Sequence, residues 1–233
     1  MHKERLHLLI LLLIFLMNII LIQFPLGRLI IFPFVVLSTW FHEIGHSLAA
    51  IMVGGSVIKI EIFADGSGVA YHTLPLHSTN LKSALVALSG PIFPPIVGYF
   101  LISFSNNLKL VKLFLLIISF SIFISLILWI RNLFGFLFLL VISIFFALVA
   151  LGKNENFSII TSQTIGIQAF LSVYLSMGYL FSKSGIVNQS SFASDTEIVA
   201  QNLFLPNWFW GSLIIVFTLI MLFLSFKKAL KNQ

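Results

Sequence analysis

Apolar residues fill most of the chain in long blocks, separated by short polar clusters. Blocks of roughly 20 apolar residues have the length of a membrane-spanning helix. The first, about residues 8–24, follows His2-Lys3-Glu4-Arg5, and no small-residue cleavage site comes after it, so a retained helix is expected rather than a signal peptide. Pro25, Gly27 and Arg28 are expected to break it. A second run, about 29–53, ends at Gly54-Gly55 in the manner of a helix C-terminus. Further spans are expected at about 81–104, 110–130, 133–151, 157–181 and 208–226, bringing the total to about six or seven transmembrane helices. Gly90-Pro91 and Pro94-Pro95 predict a kink or interruption in the span from 81. Thr161, Gln163, Thr164 and Gln168 make the span from 157 less apolar, which places it inside the bundle or as a partly re-entrant segment.

Between 56 and 73 the period changes from helical to two. Ile58, Ile60 and Ile62 fall on one face and Lys59 and Glu61 on the other. Asp65-Gly66-Ser67-Gly68 then supplies turn chemistry before Val69-Ala70-Tyr71-His72. A β-hairpin or small sheet at the membrane surface is expected here, and it is the one strong β signal in the chain. A polar stretch, about 182–207, precedes the last span.

Composition excludes a soluble globule. Of the 233 residues, 59% belong to the set AVILMFWYC and only 9% are charged, where soluble domains carry about 25%. Mean hydropathy is +1.10. The fold class expected is an all-α polytopic membrane protein with one small β insertion, forming a single integral membrane domain over 1–233. Thirteen basic and seven acidic residues give a formal charge of +6. The Lys and Arg, however, sit singly at the ends of apolar runs, as membrane-flanking residues do. No basic stripe with interleaved aromatics is present, so the expected partner is a lipid bilayer and not a nucleic acid. Cysteine is absent, which removes disulfides, thiol nucleophiles and Cys-ligated metals.

Within the second run, His42-Glu43-Ile44-Gly45-His46 reads H-E-x-x-H. Residues i and i+4 lie one above the other on a helix, so two imidazoles can hold one tetrahedral zinc. Glu43, beside the first of them, can act as general base toward a water. With this composition the string arises by chance only about 0.003 times in such a chain. Two His and a Glu facing lipid unpaired would also be costly, and a metal satisfies all three. A third ligand must come from the other acids and His. Glu4, His2 and His7 precede the first span, Glu155 lies in a tight loop, and Glu61 and Asp65 belong to the hairpin. Asp195 and Glu197, in the polar stretch before the last span, are favoured.

The run from Phe41 to Ala50, then Gly54-Gly55 and the Asp65-Gly66-Ser67-Gly68-Val69 turn, resembles the site-2 protease family of intramembrane zinc metallopeptidases. It is most similar to the short bacterial and plant, or B-like, branch. Ser89-Gly90-Pro91, Arg131-Asn132-Leu133-Phe134-Gly135 and Ser194-Asp195-Thr196-Glu197 followed by Leu205-Pro206 are similar to further elements of that branch. The resemblance implies Zn2+ held by His42, His46 and a later Asp, here Asp195, with Glu43 as catalytic acid/base. It implies a membrane-embedded or membrane-associated protein substrate and, as the favoured location, a bacterial cell membrane. The alternative is an inactive family member acting as a membrane scaffold or regulator. Two uses of the hairpin stand side by side: strand 57–63 accepts an extended substrate by strand addition, or the hairpin caps the site. Asp65 is read as turn chemistry, His77 as a loop residue, and Trp208 and Trp210 as interfacial anchors; His72, near the hairpin's end, is read as surface or interfacial, with an approach to the site as the alternative.

Overall fold

The computed structural model describes residues 2–76, 78–188 and 190–231; side chains at 2–8, 10 and 231 are outside the described set. The sequence readings at His2, Glu4, His7 and His77 therefore lie outside the described residues.

Helices dominate, as the apolar blocks require. α1 (His2–Ile22) is followed almost at once by α2 (Pro25–Met52). Pro25 is thus not a breaker. It occupies the first turn of α2, where the missing N–H has no intrahelical partner to lose. The break itself is Gln23-Phe24, and Arg28 Nε donates to Ile22 O at 2.8 Å across it. α3 (Asn80–Ser103), α4 (Leu108–Leu128), α5 (Leu133–Leu151) and α6 (Glu155–Leu175) come next, and α9 (Asn207–Lys231) ends the chain. Among the described residues, six helices are long and apolar enough to cross a membrane, from α2 through α6 together with α9.

α3 packs against α2, α6 and α9, and α4 packs against α5. α3 runs helical through Pro91, Pro94 and Pro95, so of the kink or interruption expected there, the interruption is absent. Close backbone approach on two sides holds it: a Cβ on Gly45 of α2 would lie 2.6 Å from Ser89 O, and one on Gly98 would lie 2.8 Å from Gly166 O of α6. Small residues at such crossings let membrane helices pack backbone to backbone.

The β insertion forms as expected, with β1 (Ser56–Ile62) antiparallel to β2 (Gly68–Thr73). Asp65 Oδ1 accepts from Ser67 N at 2.9 Å and from Ser67 Oγ at 2.6 Å, which is turn chemistry. Two details differ from the alternation. A register shift between Val57 and Lys59 turns Ile58 outward, 58% exposed, while Ile60 and Ile62 are fully buried. The outer edge of β1 is also closed. Ile60 N donates to Trp129 O at 2.8 Å, Arg131 N donates to Ile60 O at 3.2 Å, and Ile62 N donates to Asn132 Oδ1 at 3.1 Å. The α4–α5 connection thus takes the groups that strand addition to β1 would need, and the edge left over belongs to β2.

The polar stretch before α9 is more ordered than its sequence indicates. α7 (Met177–Leu180) leads into a second antiparallel hairpin, β3 (Ser184–Val187) with β4 (Ser190–Ala193), and then α8 (Asp195–Asn202). This hairpin was not expected. Its strands are four residues each, and Asn188 at φ +46° makes the turn without a glycine to announce it.

Candidate metal centre

His42 and His46 lie on the face of α2 that meets α3 and α8, with Nε2 atoms 3.1 Å apart. His46 Nδ1 contacts Val86 O of α3 at 2.8 Å. A carbonyl can only accept, so Nδ1 carries the proton, and in its neutral form this tautomer offers an Nε2 lone pair to a metal. Gly90 makes room for that ring. A Cβ there would lie 2.2 Å from His46 Nε2. Gly90→Ala is therefore expected to displace His46 and lower bound zinc severalfold at unchanged expression, read by metal analysis of the purified protein.

Asp195 comes to the same point from far along the chain. It is the first residue of α8, after the N-cap Ser194, whose Oγ accepts from Glu197 N at 3.2 Å. Ser194 Oγ donates to Ser182 O at 2.6 Å and Thr196 Oγ1 to Leu180 O at 2.7 Å, which anchors the helix start to the end of α7. Asp195 Oδ2 lies 3.1 Å from His42 Nε2, and Oδ1 lies 3.3 Å from His46 Nε2. Burial raises the Asp195 carboxyl, but His46 and His42 outweigh it and hold the group well below the usual carboxylate range.

Ligand atoms of His42, His46 and Asp195 all lie within 4.8 Å of one another. Tetrahedral zinc with bonds of roughly 2.0–2.1 Å sets its ligands about 3.3 Å apart. Asp195 Oδ2 is buried without a hydrogen-bond partner, and lone pairs converge on one point. A cation held among them would satisfy the set, and two imidazoles with a carboxylate suit zinc. The residues present fit the metal.

Glu43 is 5% exposed and lies against β2 beside Ala70. Gly68 faces it as well: a Cβ at that position would lie 3.1 Å from Glu43 Cγ. Glu197 sits two positions from Asp195, so it points elsewhere on α8 and accepts from Gln201 Nε2 at 3.2 Å. Glu61 pairs with Lys59 at 2.9 Å. His72 is not merely interfacial. It lines a cavity of about 440 Å3 together with His42, Glu43, His46 and Asp195, and burial, then His46, lowers its pKa. This favours the sequence alternative in which His72 approaches the site, which the sequence could not choose because nothing in it indicates which face of β2 meets α2. Tyr179 was missed. Its hydroxyl accepts from Asp195 N at 3.2 Å, and burial followed by the Asp195 and Glu43 carboxylates raises the phenol, keeping it protonated.

Trp208 is exposed and Trp210 Nε1 donates to Leu205 O at 3.1 Å, both at the start of α9, where interfacial anchors are expected.

The family model described as Peptidase M50B-like matches residues 6–225. The chain belongs to that family. No curated protein and no solved structure matches this M50B-like chain. Membership implies metallopeptidase ancestry, and with six long apolar helices it marks an integral membrane protein.

Proposed function

We propose that this M50B-like protein is a zinc-dependent intramembrane endopeptidase of the bacterial cell membrane, cutting membrane-associated or transmembrane protein segments. The observation that carries the proposal is the meeting of His42, His46 and Asp195 ligand atoms within 4.8 Å beside the buried Glu43. His42, His46 and Asp195 would hold the metal. When bound, zinc polarises the scissile carbonyl and acidifies a water. Glu43 takes a proton from the attacking water and returns it to the leaving amine, its side chain packed against Gly68 of β2 between the two transfers. Asp195 balances the charge of the centre, and the Val86 carbonyl keeps the His46 ring in the ligating tautomer. A substrate must be extended to expose its scissile carbonyl. The edge of β2 beside Glu43, and not that of β1, is the strand it would lie along.

The test is metal removal. Purified protein is expected to contain stoichiometric zinc and to cut members of a panel of synthetic single-span peptides in detergent. 1,10-Phenanthroline should abolish the cleavage and added zinc should restore it. Cleavage that survives complete removal of the metal overturns the proposal.

A further inference from the structure

A cavity of about 580 Å3 lies between α2 and α6, lined also by the β1–β2 turn and by β3, and His42 and Glu43 form part of its wall. Its size falls within the roughly 300–1,000 Å3 of typical ligand sites. Gln168, Ser172 and Ser176 recur at four-residue spacing and stand above one another on the lining face of α6 and its C-cap. Four hydroxyls of this helix, on Ser158, Ser162, Thr164 and Ser172, are paired. Ser172 Oγ donates to Ala169 O at 2.8 Å, and Ser158 Oγ to Val149 O at 2.9 Å. Gln168 is different. It is 1% exposed, it lines the cavity, and neither its Oε1 nor its Nε2 has a hydrogen-bond partner.

An unpaired primary amide inside a membrane span is costly to keep, because neither lipid nor the apolar core can satisfy it. Leucine or methionine would fill the same volume without that cost. What the amide offers is one acceptor and two donors on a flat group. That set complements a peptide unit, which presents one N–H and one C=O. A helical substrate spends both on itself, and an extended one has both free.

We propose that Gln168 binds the main chain of the unwound substrate beside the metal centre, its Oε1 accepting a peptide N–H and its Nε2 donating to a peptide C=O. This rests on the peptidase reading above. Gln168 thereby selects extended conformation rather than side-chain identity. A gripped backbone amide also offsets the loss of helical hydrogen bonds where cleavage needs it.

The test uses hydroxamates, which bind zinc whatever peptide they carry. Acetohydroxamate is compared with two peptide hydroxamates, one extending from the amino-terminal side of the zinc-binding group and one from the carboxyl-terminal side. Each is paired with a copy N-methylated along its backbone. Binding is measured to full-length zinc-loaded wild type, Gln168→Leu and Gln168→Met, with zinc content and melting temperature alongside. Both variants should keep their zinc, melt at or above wild type, and bind acetohydroxamate unchanged. For one of the two peptide directions, wild type should bind about 10-fold more tightly than either variant. N-methylation should remove that advantage in wild type and cost the variants little. Equal binding of both peptide directions by wild type and variants overturns the proposal. So does an N-methylation penalty of the same size in all three proteins, or a lowered melting temperature with acetohydroxamate binding lost, which marks a structural amide. Wild type that holds no zinc and binds no acetohydroxamate overturns the metal-centre reading itself, and this proposal with it.

Discussion

Asp195→Ala is expected to leave the protein folded and without stoichiometric zinc, while Glu197→Ala keeps its metal. The two acids are two residues apart on α8 and only Asp195 reaches the imidazoles, at 3.1 Å from His42 Nε2 and 3.3 Å from His46 Nε2. Loss of an outer-shell partner of a metal ligand typically costs about 10–100-fold in affinity, and removal of a ligand in direct contact should cost more. The fold should survive, because the start of α8 is held by Ser194 and Thr196 hydroxyls and not by the carboxylate. Metal analysis of the purified variants beside wild type reads the result. Zinc retained in Asp195→Ala and lost in Glu197→Ala would reverse the assignment.

Glu43→Gln is expected to lower turnover by roughly 10²–10⁴-fold, the range for loss of a positioned general acid–base group, with zinc content unchanged. The substitution is close to isosteric. Its size and shape match, so its packing against Gly68 of β2 and the position of the side chain should persist. What disappears is the capacity to take and return a proton. Turnover and bound zinc measured on the same preparation separate the two classes of function. An enzyme loses the first and keeps the second, whereas a protein that acts only by binding its partners is indifferent to the change.

Much of this architecture was legible in the sequence because membrane helices are specified locally. Length and apolarity alone place α2 to α6 and α9, since every backbone group in the bilayer must be satisfied within its own segment. The H-E-x-x-H spacing likewise works inside one helix, so His42, Glu43 and His46 could be named before any packing was known. The hairpin after it followed from its period and its Asp-Gly turn. Its register did not, because the bulge at Ile58 and the closing of the β1 edge by Trp129–Asn132 depend on a loop about 70 residues away.

The sequence by itself determined a polytopic membrane protein with two helical imidazoles and a neighbouring carboxylate, in a chain with no cysteine to share the work. It could narrow the third ligand to Asp195 or Glu197 but had no geometric means to choose. The tertiary structure brings Asp195 and not Glu197 to the imidazoles, through α8 anchored to the end of α7 so that one carboxylate faces α2 and the next faces away. It also decided the placement of His72, Tyr179 and Gln168 around the centre. Side-chain direction on a short strand, a four-residue helix or a buried span depends on the neighbours it packs against, and those neighbours are distant in sequence.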